Sequence, residues 1–360
     1  MKKQRNILVT GVTGYWGSCV AGVLVNRPDV HVIGIDIDKP GVEIEGLDFI
    51  QTDVRNPLLV DLLITEKIDT VCHLTFIDSV KPSEAAFDVN IMGTVKVLGA
   101  CAEAKVGQVI VKSSTAVYGA HPNNSAFLTE DRSLKGSRSY GYTRDMMEVE
   151  AFCNGFQRQA PEMKLAILRF SSIVGPSVDT PMTRFLSEPY APVLFGFDPM
   201  MQVIHEDDVV AAIVHSLQTS AAGVFNVAAE GVLPLSKIMG LAGKLPLPVL
   251  HFFAYWGADL LGGSGLRVTR CAPIELDYIR YPWVGDLAKM RQELLFAPQY
   301  TAEETLIQFA EKGRVRRYMP EAVDMAFDKE RLQDILDRRR RDQEEQSEEI
   351  VKDTEEGEYE

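Results

Sequence analysis

Basic charge, paired cysteines and metal-binding patterns are all scarce in this 360-residue sequence. Asp and Glu number 51 against 37 Lys and Arg, so the basic face that nucleic-acid binding requires is not expected. The five cysteines are odd in number and scattered with no CxxC pair, which argues against a disulfide framework and a zinc site. The six histidines show no metal-ligand spacing either. We therefore expect a cytoplasmic protein with reduced thiols and no metal site.

Long apolar runs are also lacking, and only one segment resembles a membrane span. Leu245–Leu266 contains a single acid, Asp259, but a membrane-spanning helix needs about 20 uninterrupted apolar residues. Two prolines and the Gly262-Gly263 pair shorten this run to roughly 14 residues. We predict no integral membrane segment. We expect a buried helix that walls a substrate cleft, with an interfacial helix as the alternative.

Most of the net charge of −14 lies at the end of the sequence. Residues 342–360 contain ten acids and one base, so they carry −9 and leave −5 for residues 1–341. We predict that 342–360 form an acidic disordered tail, because so polar a segment buries too little apolar surface to fold. Residues 319–341 are predicted to form a charged helix, in which Arg338–Arg341 can pair with nearby acids at helical spacing.

Short apolar strands alternate with helical stretches between residues 6 and 230. The strands are β-branched and apolar on both faces, as buried parallel strands are. Alternation of this kind predicts an α/β fold with a doubly wound parallel sheet. The predicted strands are Asn6–Thr10, Val30–Ile37, Leu47–Gln51, Thr70–Leu74, Gln108–Lys112, Lys164–Phe170 and Val224–Val227.

The regular alternation of strands and helices ends after residue 174, where prolines become frequent. We predict that residues 1–174 form the sheet domain, to which 202–232 return. Residues 175–201 and 233–318 are predicted to form a smaller, mostly helical substrate lobe. Ligands of doubly wound sheets bind beyond the carboxyl ends of the strands, so the lobe is expected to close over that edge.

A glycine-rich turn follows the first predicted strand. Gly11, Gly14 and Gly17 form a GxxGxxG pattern. The first glycine permits a sharp turn, the second lets backbone N–H groups approach a pyrophosphate, and the third lets the next helix pack against the sheet. This pattern predicts a dinucleotide site that also includes Tyr15 and Trp16.

Acidic and polar residues end the next predicted strands. Asp36 lies 22 residues after Gly14, where an acid binds a ribose diol and repels a 2′-phosphate. No arginine occurs in residues 37–40, so NAD is favoured over NADP. Asp53 and Val54 close the third strand, where a carboxylate could accept from an adenine amino group. Leu74 and Thr75 end the fourth strand and are expected to line the cofactor cleft.

A family resemblance follows from these and later motifs. The start resembles the TGxxGxxG opening of extended short-chain dehydrogenases/reductases, the NAD-dependent epimerase/dehydratase group, whose sheet domain is a Rossmann fold. The resemblance covers roughly residues 6–310, and Thr180 to the Tyr281–Thr301 region is similar to a bacterial UDP-glucose 4-epimerase-like branch. Further similar segments are Asn90–Thr94 (N-x-x-G-T), Ser113–Gly119 (SS-x-x-VYG), Leu168–Pro176 (LR…GP), His205–Asp208 (H-x-x-D) and Phe225–Val227 (FNV). The resemblance implies NAD as cofactor, with Asn90 and Arg144 added to its expected contacts.

The same resemblance implies a chemistry. In that family hydride passes between a substrate carbinol carbon and C4 of the nicotinamide. A tyrosine takes the hydroxyl proton, a Ser or Thr hydrogen-bonds the same oxygen, and a lysine four residues after the tyrosine lowers its pKa. This help is needed because a free tyrosine, with a pKa near 10, is a poor base at neutral pH. By position Ser114 matches the Ser/Thr, although a strand-end serine bonded only to backbone is the alternative.

Two tyrosines compete for the catalytic position. Tyr140 has Arg144 four residues later, and Tyr142 has Met146. Residues two apart on a helix point about 200° apart, so only one of them is expected to face the cofactor. We prefer Tyr142, because it begins an apolar stripe that should face the sheet. That stripe comprises Tyr142, Met146, Val149, Cys153 and Phe156.

Two departures from the family leave the function open. Neither tyrosine is followed by the lysine, and Ser172 stands where nucleotide-sugar epimerases usually have Asn. The first hypothesis is an NAD-dependent epimerase, dehydratase or dehydrogenase acting on a small molecule, by family default a nucleotide sugar. The second is similar chemistry on a lipophilic alcohol, as in 3β-hydroxysteroid dehydrogenases. The third is a non-catalytic NAD-binding sensor or scaffold. Family habit also implies a homodimer.

The acidic tail gives a first testable prediction. Truncation after Arg341 removes most of the net charge but none of the segment that resembles the family. We therefore expect the truncated chain to bind NAD with the affinity of the full chain, as measured by calorimetric titration. A lost or strongly weakened NAD affinity would show that the tail contributes to the cofactor site.

Overall fold

The protein is described from a computed structural model that covers residues 4–188, 190–250, 252, 254 and 272–318. The predicted charged helix at 319–341 and acidic tail at 342–360 lie outside these residues, as does most of the apolar run after Leu250. Residues 1–310 form one compact unit.

A seven-stranded parallel sheet forms the centre of the fold, in the order β11-β6-β5-β4-β1-β2-β3. The predicted strands are confirmed with ends that differ by two residues at most. Six more described strands lie outside this sheet and form three two-stranded pairs. In chain order the strands are β1 Arg5–Thr10, β2 Val30–Asp36, β3 Leu47–Gln51, β4 Thr70–His73, β5 Gln108–Ser114, β6 Lys164–Phe170, β7 Ser172–Val174, β8 Tyr190–Leu194, β9 Met200–Met201, β10 Val203–His205, β11 Gly223–Val227, β12 Leu233–Pro234 and β13 Leu245–Val249.

Helices cover both faces of the sheet. In chain order they are α1 Tyr15–Leu24, α2 Leu59–Thr65, α3 Glu84–Phe87, α4 Gly93–Glu103, α5 Gly141–Gln159, α6 Pro181–Ser187, α7 Glu206–Thr219, α8 Leu235–Leu241 and α9 Ala302–Tyr318. Helices α1 and α7 share one hydrophobic core with the sheet, and α2, α4 and α5 share another. Successive strand residues alternate between these cores, as Ile7 and Leu8 do, because side chains point to opposite faces of a strand.

The helical run from α3 to α4 is the one described helix with the length and composition of a membrane span. It extends over Glu84–Glu103, and about half of it is buried inside the protein. A π-helical turn at Asp88–Met92 joins its two parts. Part of this run belongs to the core beneath the sheet, and burial of this kind is also typical of core helices in water-soluble folds.

The segment predicted as the substrate lobe contains more strand than the sequence led us to expect. Leu245–Val249 is the exposed strand β13, which pairs in parallel with β8. Pro246 and Pro248 cannot donate the hydrogen bonds of a helix, whereas an edge strand tolerates them. The buried helix predicted beyond these prolines lies mostly outside the described residues. A separate hydrophobic core lies under this lobe and includes Phe185, Ile238 and Leu306.

A buried ion pair joins helix α5 to the sheet. Arg169 of β6 and Glu150 of α5 are 2% and 0% exposed, with Nη2 and Oε2 2.6 Å apart. Glu150 also accepts a hydrogen bond from Ser113, and Arg169 donates to the hydroxyl of Tyr118. Tyr118 in turn donates to Asn226 of β11. The network therefore ties three strands and one helix together next to the carboxyl ends of the strands.

This network predicts a large effect of Arg169→Met on stability. The substitution leaves Glu150 buried without its partner, which costs about 3–5 kcal/mol. Arg291→Met is the control, because Arg291 pairs with Glu230 on the surface, where both side chains are about half exposed, and such pairs contribute less than about 1 kcal/mol. Urea unfolding of both variants measures the difference. Similar unfolding free energies for the two would contradict the structural role of the network.

Candidate active site

The glycine turn after β1 is held by contacts that exclude larger side chains. Gly11 has a φ of +71°, which favours glycine. A Cβ on Gly17 would lie 2.0 Å from the carbonyl oxygen of Gly11, so helix α1 can approach the turn this closely only with glycine there. Gly14 is the residue immediately before α1, and it has no side chain to cap the N–H groups of the helix. The first N–H groups of the helix are therefore left for a ligand, as a pyrophosphate requires.

Asp36 is fixed beside this turn. One carboxylate oxygen accepts from the backbone N and the hydroxyl of Thr13, at 3.0 and 2.7 Å. The other accepts from the backbone N of Ile37 at 2.7 Å. The carboxylate is half-buried at the end of β2, and its position next to the glycine turn fits the ribose contact that the sequence predicts.

The residues predicted after β3 and β4 have different surroundings. Both carboxylate oxygens of Asp53 accept from Arg55, which lowers the pKa of Asp53, so this carboxylate is already paired and less free to accept from adenine. Val54 is buried against Gly93. The backbone of Leu74 and Thr75 lies against Gly11. The Thr75 hydroxyl is buried with no hydrogen-bond partner among the described residues, as expected of a group that a bound cofactor would satisfy.

Asn90 and Arg144 lie in a second polar network, centred on Asp145. Asn90 is fully buried, and its amide bonds to the backbone of Ile77 and to the carboxylate of Asp145. The guanidinium of Arg144 donates to the same Asp145. These groups brace the loop after β4 against α5, and their contact with the cofactor stays a prediction.

Tyr15 and Trp16 diverge at the start of α1. Tyr15 lies beside Glu206 in a shallow groove between α1 and α7, where burial and this carboxylate raise the pKa of Tyr15. Trp16 points instead into a cavity at the carboxyl edge of the sheet. Of these two aromatic residues, Trp16 is therefore the one that connects the glycine turn with the cavity.

The edge cavity has a volume of about 160 Å³ and contains the predicted catalytic residues. Ser114, Tyr140 and Tyr142 all line it. Only one tyrosine was expected to face the cofactor because residues two apart on a helix point in different directions. That spacing does not apply here, since Tyr140 precedes the first helical residue of α5 and has extended backbone angles. Other lining residues are Trp16, Leu74, Phe76, Asp78, Lys112, Phe170, Ser172, Ile173, Thr180, Pro273, Ile274 and Trp283.

The carboxylate of Asp78 raises the pKa of both tyrosines, but their hydroxyls have different hydrogen-bond partners. The Tyr140 hydroxyl donates to Asp78 over 3.4 Å, and burial and this carboxylate raise the pKa of Tyr140. The Tyr142 hydroxyl accepts a hydrogen bond from Nζ of Lys112 at 3.3 Å. The stripe that led us to prefer Tyr142 is found as predicted, since its members pack into the core shared by α5 and the sheet.

Lys112 is the residue of this cavity that the sequence analysis missed. It lies two positions before Ser114 on β5, so the two side chains share one face of the strand. The sequence shows this spacing, but the family resemblance places the lysine on the helix, four residues after the tyrosine. Burial lowers the pKa of Lys112 to about 8, and Asp78 acts in the opposite direction. Lys112 is therefore largely protonated at neutral pH.

Comparison with known proteins identifies this arrangement. A model of the NAD dependent epimerase/dehydratase family matches residues 7–228, more than half of the chain. The chain belongs to this family. The resemblance drawn from the sequence motifs is thereby confirmed, and so is the Rossmann-type sheet.

Several relatives are similar over most of their length. An uncharacterized protein of Mycobacterium tuberculosis strain H37Rv is 30% identical over 338 residues, which are 89% of each chain. UDP-glucose 4-epimerase of Lactobacillus helveticus is 32% identical over 181 residues, 48% of this chain and 53% of the relative. The structure of Bacillus cereus UDP-glucuronic acid 4-epimerase with UDP-glucuronic acid and NAD has a TM-score of 0.66 and 22% identity, covering 86% of this chain and 99% of that one.

As a member of the NAD-dependent epimerase/dehydratase family, the chain uses NAD as its cofactor. The uncapped start of α1, the ribose-side carboxylate of Asp36 and the unpartnered hydroxyl of Thr75 all fit this group. When bound, NAD accepts or returns a hydride. Among the described residues no cluster of three or more His, Cys, Asp and Glu could hold a metal ion.

Asp36→Ser tests the cofactor preference. Loss of the carboxylate removes hydrogen bonds to the ribose and the repulsion of a 2′-phosphate, so NAD affinity should fall about tenfold or more. The ratio of NADP affinity to NAD affinity should rise. Calorimetric titration with both dinucleotides measures this, with Asp38→Ser as the control, because Asp38 is an exposed neighbour. An unchanged NADP/NAD ratio in Asp36→Ser would contradict the role of Asp36.

Proposed function

We propose that this protein is an NAD-dependent epimerase or dehydratase that transfers hydride at a carbinol carbon of a nucleotide sugar. The observation that carries the proposal is the shared cavity: Trp16 from the cofactor turn, Ser114 from the end of β5 and Tyr142 from α5 all line it. A substrate hydroxyl in this cavity would meet a proton acceptor and a hydrogen-bonding serine on the cofactor side.

Tyr142 is proposed as the proton acceptor and Tyr140 as part of the cavity wall. The ammonium of Lys112 donates to the Tyr142 hydroxyl and favours its phenolate. Tyr140 instead donates to Asp78, which is paired with Arg184 and whose carboxylate opposes the phenolate of both tyrosines. Ser114 already accepts a hydrogen bond from the backbone N of Ala116. Its hydroxyl hydrogen is still available to the substrate oxygen, so this capping contact is compatible with the catalytic role.

The nucleotide-sugar assignment is supported by the relatives, and the cavity itself supports a second candidate. Among its lining residues are several apolar groups, including Phe76, Phe170 and Trp283. Ser172, which stands at the position of the family Asn, also lines it. These walls favour a lipophilic alcohol, as in 3β-hydroxysteroid dehydrogenases, as the alternative substrate class. A sensor or scaffold without turnover is less favoured, because a cation does reach the tyrosine. The cytoplasmic location and the homodimer remain proposals.

Tyr142→Phe tests the reaction. The variant loses the proton acceptor, so turnover should fall at least about 100-fold, the usual contribution of general acid–base catalysis. The assay follows NADH absorbance and sugar interconversion with UDP-glucose and UDP-glucuronic acid, and then with a 3β-hydroxysterol.

Tyr140→Phe is the matched control for this experiment, because it removes one hydroxyl from the same cavity wall. We expect it to keep most of the activity. Turnover lost in Tyr140→Phe and retained in Tyr142→Phe would exchange the two roles. Turnover of the sterol alone would move the assignment to the second candidate.

A further inference from the structure

We propose that Lys112, on strand β5, is the positioning residue for Tyr142 and supplies the ammonium that family members carry on the helix. The inference rests on the proposed function, in which Tyr142 takes the substrate proton. It adds a residue that lies outside the tyrosine helix and in no motif that the family resemblance pointed to.

The position of the ammonium is well defined. Lys112 is only 9% exposed, and its Nζ lies 3.3 Å from the Tyr142 hydroxyl. The same atom lies 5.4 Å from the centroid of the Trp16 ring and 5.6 Å from that of Tyr142. The Trp16 ring and the Tyr142 hydroxyl thus flank the cation, and the Trp16 ring attracts it through its π-system.

The electrostatics of the cavity create a need for this cation. Burial raises the pKa of Tyr142, and Asp78 and Glu150 raise it further. Without an opposing charge Tyr142 would be a weaker base at neutral pH than a free tyrosine. Among the described residues that line the cavity, Lys112 is the only Lys or Arg.

The other charged groups around the pair are anionic or already paired. Asp78 and Asp179 line the cavity from the loops after β4 and before α6, and Arg184 of α6 pairs with both carboxylates. Glu150 of α5 is bound to Arg169, and Tyr140 is bound to Asp78. None of these supplies a positive charge to Tyr142, so the pH dependence of the tyrosine should follow Lys112.

The helix offers no substitute. Position 146, four residues after Tyr142, holds a methionine that is fully buried in the core between α5 and the sheet. Arg144 is engaged by Asp145 on another side of α5. The cation next to the Tyr142 hydroxyl is therefore supplied by β5, the strand that carries Ser114, and not by the helix.

The experiment measures the ionisation of Tyr142 in the NAD complex, without any substrate. Protein labelled with ¹³C at the tyrosine Cζ is titrated by NMR, and the Tyr142 signal is assigned by its loss in Tyr142→Phe. In Lys112→Met, which keeps the length of the side chain and removes its charge, the pKa of Tyr142 should rise by about one unit or more. Lys164→Met is the control, because Lys164 is an exposed lysine on the neighbouring strand β6, and it should leave the Tyr142 pKa unchanged.

Two results would overturn the inference. One is an equal Tyr142 pKa in the unaltered protein and in Lys112→Met. The other is a Tyr142 that stays protonated in the unaltered protein up to the ordinary tyrosine pKa of about 10. Because no turnover is needed, a lysine-dependent pKa in a protein that converts no substrate would retain the pairing and reject the proposed function.

Turnover gives an independent readout with UDP-glucose as the probe. Lys112→Met should lower kcat at neutral pH about tenfold or more. The pH at which kcat increases should move upward by the same amount as the pKa of Tyr142. Lys112→Ala leaves space for a small amine, so added ethylammonium should restore part of its kcat in a saturable way. A pH profile that is merely lower, with no shift and no rescue, would indicate a structural role and overturn the inference.

Discussion

The parallel register of the central sheet determines where every group of the site lies. Thr10 at the end of β1 pairs with Ile35 of β2 and with His73 of β4, and β5 continues beyond its pairing with β4 to Ser114. Since the strands run in one direction, the glycine turn, Asp36 and Ser114 meet at one edge of the sheet. The site therefore depends on strand pairing and on the close contact of Gly17 with Gly11, which holds α1 at this edge.

Two buried cations near this edge have different surroundings and different uses. Arg169 is bound to the carboxylate of Glu150 and to the Tyr118 hydroxyl, so its charge is compensated and its function is structural. Lys112 has no carboxylate within ion-pair distance in the described part of the chain, and burial makes its charged form costly. A neighbouring phenol can relieve that cost by becoming a phenolate, which makes Lys112 a partner for proton transfer with Tyr142.

Much of the sheet could be predicted because each strand leaves a local signal, namely a short apolar run followed by a turn. The glycine turn and the place of Asp36 follow from spacing alone. The side-chain partners could not be predicted in this way. Asn90 and Arg144 meet at Asp145 only because α5 packs against the helical run after β4. Tyr140 joins Tyr142 in the cavity because it precedes the first helical residue of α5. Contacts between distant segments of the chain are absent from local periodicity.

The lysine motif on the helix matters because it places a positive charge near the tyrosine hydroxyl, and another element can supply that charge. The chemistry requires an ammonium near the phenol oxygen, and two elements pass close enough to supply it, the tyrosine helix and β5. A lysine at position 146 would place its ammonium in the apolar core, where burial penalises the charged form. The methionine at 146 fits this core, and Lys112 supplies the cation from β5. The altered motif is consistent with a proton-transfer site whose cation comes from another strand.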